Sequence, residues 1–209
     1  MRKIVVAGIG TDVGKTIVSA ILTYALEAAY WKPVQCGLSR DRKTIDHLLE
    51  GCRKTHPEGL FLKTPRSPHH AAKLERFTIN PNQITLPNTT QTLIIEGCGG
   101  ILVPLNLKTL MVDLFASWDC EWVLVSRHNI GSINHTLLTI EAMKRRSLNI
   151  RGIIFNGERC TQTETAIIKF SNLSCIGRLK PEPKWDLQRV QAYASAWKRN
   201  APFRSAMLK

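Results

Sequence analysis

The stretch KIVVAGIGTDVGKT, residues 3–16, runs from a continuous apolar segment through a glycine-rich turn into Gly-Lys-Thr. An apolar run bounded by glycine reads as a strand buried on both faces. Beyond it, Ile17, Ile21, Leu22, Ala25 and Leu26 recur at helical spacing, so the stretch predicts strand, turn and helix. Gly14, Lys15 and Thr16 then offer a triphosphate the N–H groups of a helix N-terminus, an ammonium for its phosphates and a hydroxyl for Mg²⁺. The strict P-loop spacing is not met, because Ile9 lies between Gly8 and Gly10. The context, a strand before and a helix after, is met.

The same theme recurs along the chain. Residues 92–97, 121–126, 150–156 and 174–179 read as further strands, with helical stretches near 110–118, 132–146, 163–171 and 186–198. Parallel neighbours need crossover connections, so strands alternating with helices predict an α/β fold. It is a mostly parallel sheet with helices on both faces, P-loop NTPase-like, in one domain over 1–209. Residues 38–90 are polar and carry Pro65, Pro68, Pro81 and Pro87, which predicts loops and short helices. No repeat, low-complexity tract or linker interrupts the chain.

Composition narrows the function classes. With 44% hydrophobic and 22% charged residues in 209, the chain has the balance of a globular domain with a sizeable core. No apolar stretch reaches the roughly 20 residues of a membrane span, and "MRK" leads straight into a strand, so a cytoplasmic protein without a membrane partner is expected. The six cysteines show no C-x-x-C spacing, which argues against a zinc site or redox pair and for reduced, mostly buried thiols. A net charge of +13 favours an anionic partner. The basic residues are dispersed, with short clusters such as 144–146, which suits small anions better than nucleic acid.

Ligands of open parallel sheets bind beyond the carboxyl ends of the strands, and that rule sorts the polar residues. Glu96 ends the apolar strand TLIIE and precedes the flexible GCGG. An acid there would be costly inside the core but faces the phosphate crevice at the strand's end. Asp46 sits in a helical context, Lys32 follows a short strand and precedes Pro33, and Ser67-Pro68 can start a helix at Ala71 with His69 and His70 exposed. His135 reads as a helix residue.

Taken in order, GIGTDVGKT, WKPVQCG, SPHHAA, IEGCGGILVPL, GSINHTLLT and GIIFN resemble the dethiobiotin synthetase family over about 7–156. The resemblance implies an ATP-dependent cyclisation of 7,8-diaminopelargonic acid with CO₂, taken up as a carbamate that ATP phosphorylates, in a homodimer. It places Asp12, Val13, Gly14, Lys15, Thr16 and Ile17 at the phosphates, with Gly97, Cys98 and Gly99 beside them. Thr16, Asp46 and Glu96 would hold Mg²⁺, and Lys32 and Lys15 would be catalytic. Asn156 and Gly157 would meet adenine, Cys36 would touch substrate, and Ser132, Ile133 and Asn134 would bind its tail carboxylate across the dimer. Because the carbamate oxygen is itself the nucleophile, the protein need supply none.

The chain departs from the family at Cys36, where Ser or Thr is usual, at Cys98 in place of Ala, at Gly10 in place of a frequent Asp, and at Arg178 in place of Glu. Two rival readings stand beside the resemblance. One is a deviant P-loop ATPase of the DNA-partitioning kind, which carries an early loop lysine where this chain has Gly10. The other is a non-enzymatic relative that uses its basic face for interaction.

Overall fold

The structure, a computed structural model, describes residues 1–208. In chain order it builds β1 (Lys3–Gly8), α1 (Lys15–Ala25), β2 (Ala29–Trp31), β3 (Val34–Cys36), α2 (Asp41–Leu48), β4 (Thr55–His56), β5 (Leu60–Leu62) and α3 (Pro68–Leu74). A short 3₁₀ turn at Pro81–Gln83 leads to β6 (Leu93–Gly100), α4 (Met111–Ala116), β7 (Glu121–Arg127), α5 (Ser132–Lys144) and β8 (Asn149–Asn156). The chain continues through α6 (Thr161–Ser171), β9 (Cys175–Leu179), α7 (Leu187–Arg199) and α8 (Ala201–Met207).

Seven strands pair in the order β4-β2-β6-β1-β7-β8-β9, every pair parallel. Side chains alternate across a strand, so β1 feeds two cores. Ile4 and Val6 pack with Ile21 and Leu22 of α1, Trp197 of α7 and Phe203 of α8. Val5 and Ala7 pack on the opposite face with Phe115 of α4, Ile140 of α5 and Ile167 of α6. Helices therefore cover both faces of the sheet, as the unbroken apolar strands predict. β1 lies at the centre, between β6 and β7, which opens a crevice beyond its carboxyl end.

The polar stretch 38–90 does hold short helices, α2 and α3, but also two short strands. β4 extends the edge of the main sheet against β2, and β5 pairs with β3 in a separate two-stranded sheet. Runs of two or three residues are too short to show a period. α3 starts at Pro68, ahead of Ala71, and leaves His69 half-buried while His70 is exposed. α8 lies beyond the last expected helix; Pro202 stands in its first turn, and burial of Phe203 and Met207 anchors it. Among the described residues no helix is long and apolar enough to cross a membrane. Of the cysteines, Cys120 alone is buried; Cys52 is exposed and the others are half-buried, a correction to the expectation of mostly buried thiols.

Candidate active site

β1 ends at Gly8, and the loop 9–14 turns into the first turn of α1. Gly14 caps that helix with φ 97°, a left-handed conformation that glycine adopts without a Cβ penalty. A Cβ there would stand 2.5 Å from Nδ2 of Asn156. That amide donates to the Val13 carbonyl at 2.9 Å, so the end of β8 clamps the loop from beneath. Lys15 is buried and its Nζ donates to the Gly10 carbonyl at 2.7 Å. Burial holds its pKa below the ordinary lysine range, with Lys32 acting in the same direction and Glu96 opposing. Arg127 at the end of β7 donates to the Asp12 carbonyl at 2.9 Å.

Opposite the loop stands Glu96 on β6, only 1% exposed. Its carboxylate accepts from Thr16 Oγ1 at 2.9 Å, Tyr30 OH at 3.0 Å and Lys32 Nζ at 2.9 Å. Full hydrogen bonding is what makes a buried charge tolerable. Asp41, the first residue of α2, joins them: its Oδ2 pairs with Lys32 Nζ and its Oδ1 lies 3.3 Å from Thr16 Oγ1. One hydroxyl thus faces two carboxylates while owning a single proton. Burial alone would lower the Lys32 pKa, but Glu96 and Asp41 outweigh it and raise the ammonium above the usual range. Burial, with Glu96 next, pushes the Tyr30 phenol well above its ordinary value, so it stays a donor.

The loop between β3 and α2 is tied by Gln35. Its Nε2 donates to the carbonyls of Cys36 at 3.1 Å and Ser39 at 3.0 Å, and its Oε1 accepts from the Asp41 N–H at 3.1 Å. Cys36 and Cys98 line the same cavity. Cys36, aided by Lys32 and Lys15 against burial, lowers the Cys98 thiol to about 7. Cys98 and then burial raise the Cys36 thiol.

These groups line one cavity of about 510 Å³. It collects Asp12, Gly14, Lys15, Thr16, Ile17, Lys32, Cys36, Glu96, Cys98 and Gly99 of the residues singled out in the sequence. Gly97 presents its carbonyl 3.5 Å from Lys32 Nζ, Val13 is buried behind the loop, and Gly157 follows Asn156 with its N–H on the Leu179 carbonyl at 3.0 Å.

Asp46 is not part of this site. Its Oδ1 accepts from Thr55 Oγ1 at 2.7 Å, and Asp41 occupies the place expected for it. Five residues along an α-helix turn a side chain by about 140°, so the two acids of α2 face different ways. Ser132, Ile133 and Asn134 line a second cavity, about 790 Å³, with His128, Gly131 and Cys160. Within one chain it shares no residue with the first. His135 is exposed. Arg178 turns to Glu164 of α6, its Nε 2.8 Å from Oε2, and Glu164 also meets His128 at 3.3 Å.

Sequence reasoning missed Asp41, Gln35 and Tyr30. An acid at the start of a helix was the available signal for Asp41, because carboxylates favour that position. Nothing local marks Gln35. Tyr30 sits in a strand whose apolar neighbours make it look like core.

A parallel sheet with a Gly-Lys-Thr turn beyond its central strand, faced by a carboxylate from within the neighbouring strand, where β6 runs on past Glu96 to Gly100 instead of ending at it as expected, defines a P-loop nucleoside triphosphatase fold. Solved structures agree: a plasmid partition protein of Borrelia burgdorferi superposes with a TM-score of 0.61 at 11% identity, covering 99% of this chain and 98% of that one. The septum site-determining protein MinD of Pyrococcus horikoshii gives 0.52 at 18% identity, covering 98% and 92%. Residues 2–189 match the AAA domain family. The ATP-dependent dethiobiotin synthetase BioD of Chlamydia abortus is 45% identical over 206 residues, 98% of this chain and 99% of that protein. The enzyme of the same name from Cytophaga hutchinsonii is 48% identical over 197 residues, 93% and 96% of the two chains. The chain belongs to the ATP-dependent dethiobiotin synthetase family and with it to the ATP-dependent ligases.

Proposed function

We propose that residues 1–209 act as one dethiobiotin synthetase domain that joins 7,8-diaminopelargonic acid, CO₂ and ATP into dethiobiotin, ADP and phosphate, as a cytoplasmic homodimer. The observation that carries this reading is the convergence of Lys15, Lys32, Thr16, Asp41 and Glu96 on one cavity at the ends of the strands.

One amine of the substrate adds to CO₂ and loses a proton, giving a carbamate. A carbamate oxygen attacks the γ-phosphorus of ATP and ADP leaves. The second amine then attacks the carbonyl carbon, closing the ring as phosphate departs. Lys15, in the first turn of α1, faces the phosphates with the helix N–H groups, and Gly14, Thr16 and Ile17 place them there. Lys32 offsets the charge on the carbamate and the phosphoryl group in transit, a task for an ammonium point charge. Positioning and charge neutralisation carry the reaction.

The Thr16 hydroxyl and the two carboxylates form an oxygen-only donor set that fits Mg²⁺. We assign that ion to Thr16, Asp41 and Glu96; bound there, it supplies positive charge that neutralises the triphosphate. Asn156 and Gly157 are assigned to adenine. Ser132, Ile133 and Asn134 open α5, whose N-terminus suits the tail carboxylate. Exposed Ile130, Ile133 and Leu138 on that face support a second copy docking there, which would bring the two cavities together.

Phosphate release from ATP should rise when both diaminopelargonate and bicarbonate are added, and Lys32→Gln should keep ATP binding but abolish turnover. Turnover near the parent level in that variant would overturn the role of Lys32. No stimulation by the substrates, with steeply salt-dependent duplex affinity, would favour the partition-type reading; no turnover at all would favour a non-enzymatic interaction module.

A further inference from the structure

We propose that Arg127 and Asn156 are positioning residues for the phosphates: together they hold two successive carbonyls of the loop 9–14 toward the sheet and thereby aim the loop's N–H groups the other way, at the triphosphate. The inference rests on the assignment of that loop to the phosphates given above.

The two residues end β7 and β8 and face each other in register. Just beyond them the His128 N–H joins the strands again, on the Asn156 carbonyl at 2.8 Å. From this one point each residue sends a side chain to the loop. The Arg127 guanidinium donates through Nη1 to the Asp12 carbonyl at 2.9 Å, and the Asn156 amide donates through Nδ2 to the Val13 carbonyl at 2.9 Å. In a planar trans peptide the N–H points opposite to the carbonyl of the same unit. Fixing the Asp12 carbonyl on β7 therefore fixes the direction of the Val13 N–H, and fixing the Val13 carbonyl on β8 does the same for the Gly14 N–H. Neither N–H donates to a backbone carbonyl among the described residues.

The loop has a shape that needs such support. Asp12 holds φ 54° and Gly14 φ 97°, while Val13 between them stays outside the positive range. Backbone of alternating hand curls successive N–H groups into a concavity that takes an anion. Glycine turns so without penalty, but aspartate does so at a cost that its surroundings must offset. The other ties of the loop lie nearer its start: the Ile9 N–H meets the Val125 carbonyl at 3.1 Å, and Lys15 Nζ meets the Gly10 carbonyl at 2.7 Å. When Lys15 turns to the phosphates it gives up the Gly10 carbonyl, which leaves Arg127 and Asn156 to keep the curl. Neither of the two lines the 510 Å³ cavity, so toward the phosphates both act through the loop.

The test uses the full chain and two probes, ATP and inorganic tripolyphosphate, each titrated calorimetrically with Mg²⁺ present. Tripolyphosphate carries no base, so it reads the loop alone. Arg127→Met keeps the length of the side chain and removes the donor; it should weaken both probes by the same factor, roughly tenfold, the equivalent of one hydrogen bond. Arg127→Lys keeps a donor and should restore most of that loss. Asn156→Ala should weaken tripolyphosphate as well, which a residue that met adenine alone would not do. Arg127 is exposed, so its variants should melt near the parent and the loss is read on an intact fold. Parent-level tripolyphosphate affinity in Arg127→Met and Asn156→Ala overturns the clamp. A loss confined to ATP does so too, since it marks a contact with the nucleoside. A parent chain that binds neither probe overturns the assignment of the loop to the phosphates, and the clamp with it.

Discussion

The side-chain carbonyl of Gln35 accepts the backbone N–H of Asp41 at 3.1 Å, so a buried amide on β3 sets the start of α2. The same side chain holds two carbonyls of the intervening loop, and the Asp41 carboxylate is thereby aimed at Lys32 and Thr16. Gln35→Leu keeps the volume but removes all three bonds. We expect its Mg²⁺ requirement to rise roughly tenfold, as for lost supports of metal ligands, with about 1–3 kcal/mol of stability lost. A titration of activity against Mg²⁺ beside a urea melt checks both numbers.

The two acids of α2 separate cleanly by mutation. Asp41→Asn should cost roughly 100-fold or more in turnover at fixed Mg²⁺, since it removes a charge assigned to the ion and a partner of Lys32. Asp46→Asn trades one acceptor for another at Thr55 and should leave kcat within about twofold. Equal losses in steady-state assays of both variants would refute the assignment.

Tyr30 reaches Glu96 from the strand beside it, at 3.0 Å. Tyr30→Phe deletes a hydroxyl and leaves the core shape intact. Metal affinity should weaken about tenfold, with thermal stability shifted by roughly 1 kcal/mol, because Glu96 keeps its other donors. Isothermal titration with Mg²⁺ and a nucleotide analogue measures the first effect, and calorimetric melting the second.

Gly14 combines φ 97° with a Cβ position 2.5 Å from the Asn156 amide. Gly14→Ala must move one of them, at a cost of about 1–3 kcal/mol. We expect lower stability together with loss of ATP binding in an equilibrium assay; binding at the parent level would show that the loop tolerates the shift.

Glu164 makes stability depend on pH. Burial opposes its ionisation, but Arg178 and then His128 outweigh it and hold its pKa below the usual carboxylate range. A depressed folded pKa adds stability that is present above the unfolded value, near 4.3, and is lost as pH falls through the folded one. Glu164→Gln should therefore melt lower than the parent at neutral pH, and the gap should close as the pH drops below about 4. A gap that stays constant from neutral to acid in melting curves would contradict this account.

Much of the molecule was legible in the chain because it depends on neighbours in sequence. Unbroken apolar runs specified strands buried on both sides, and their alternation with helical periods specified parallel pairing. Lys15 and Thr16 were legible as the start of a helix after a glycine turn, and Glu96 as a charge facing the phosphate crevice, although it lies within β6 and not at its end, held by three donors. What only the tertiary structure decided were choices among residues of similar local context. Asp41 and Asp46 share one short helix, and which acid faces Thr16 depends on how α2 rotates as it packs on α1. Gln35 and Tyr30 gain their roles from contacts across the sheet. Cys36 and Cys98, far apart in the chain, line one cavity because β3 and β6 both reach it. Local sequence fixes periods and turns, but contact between distant side chains is settled by packing, where burial of the whole face outweighs any one residue.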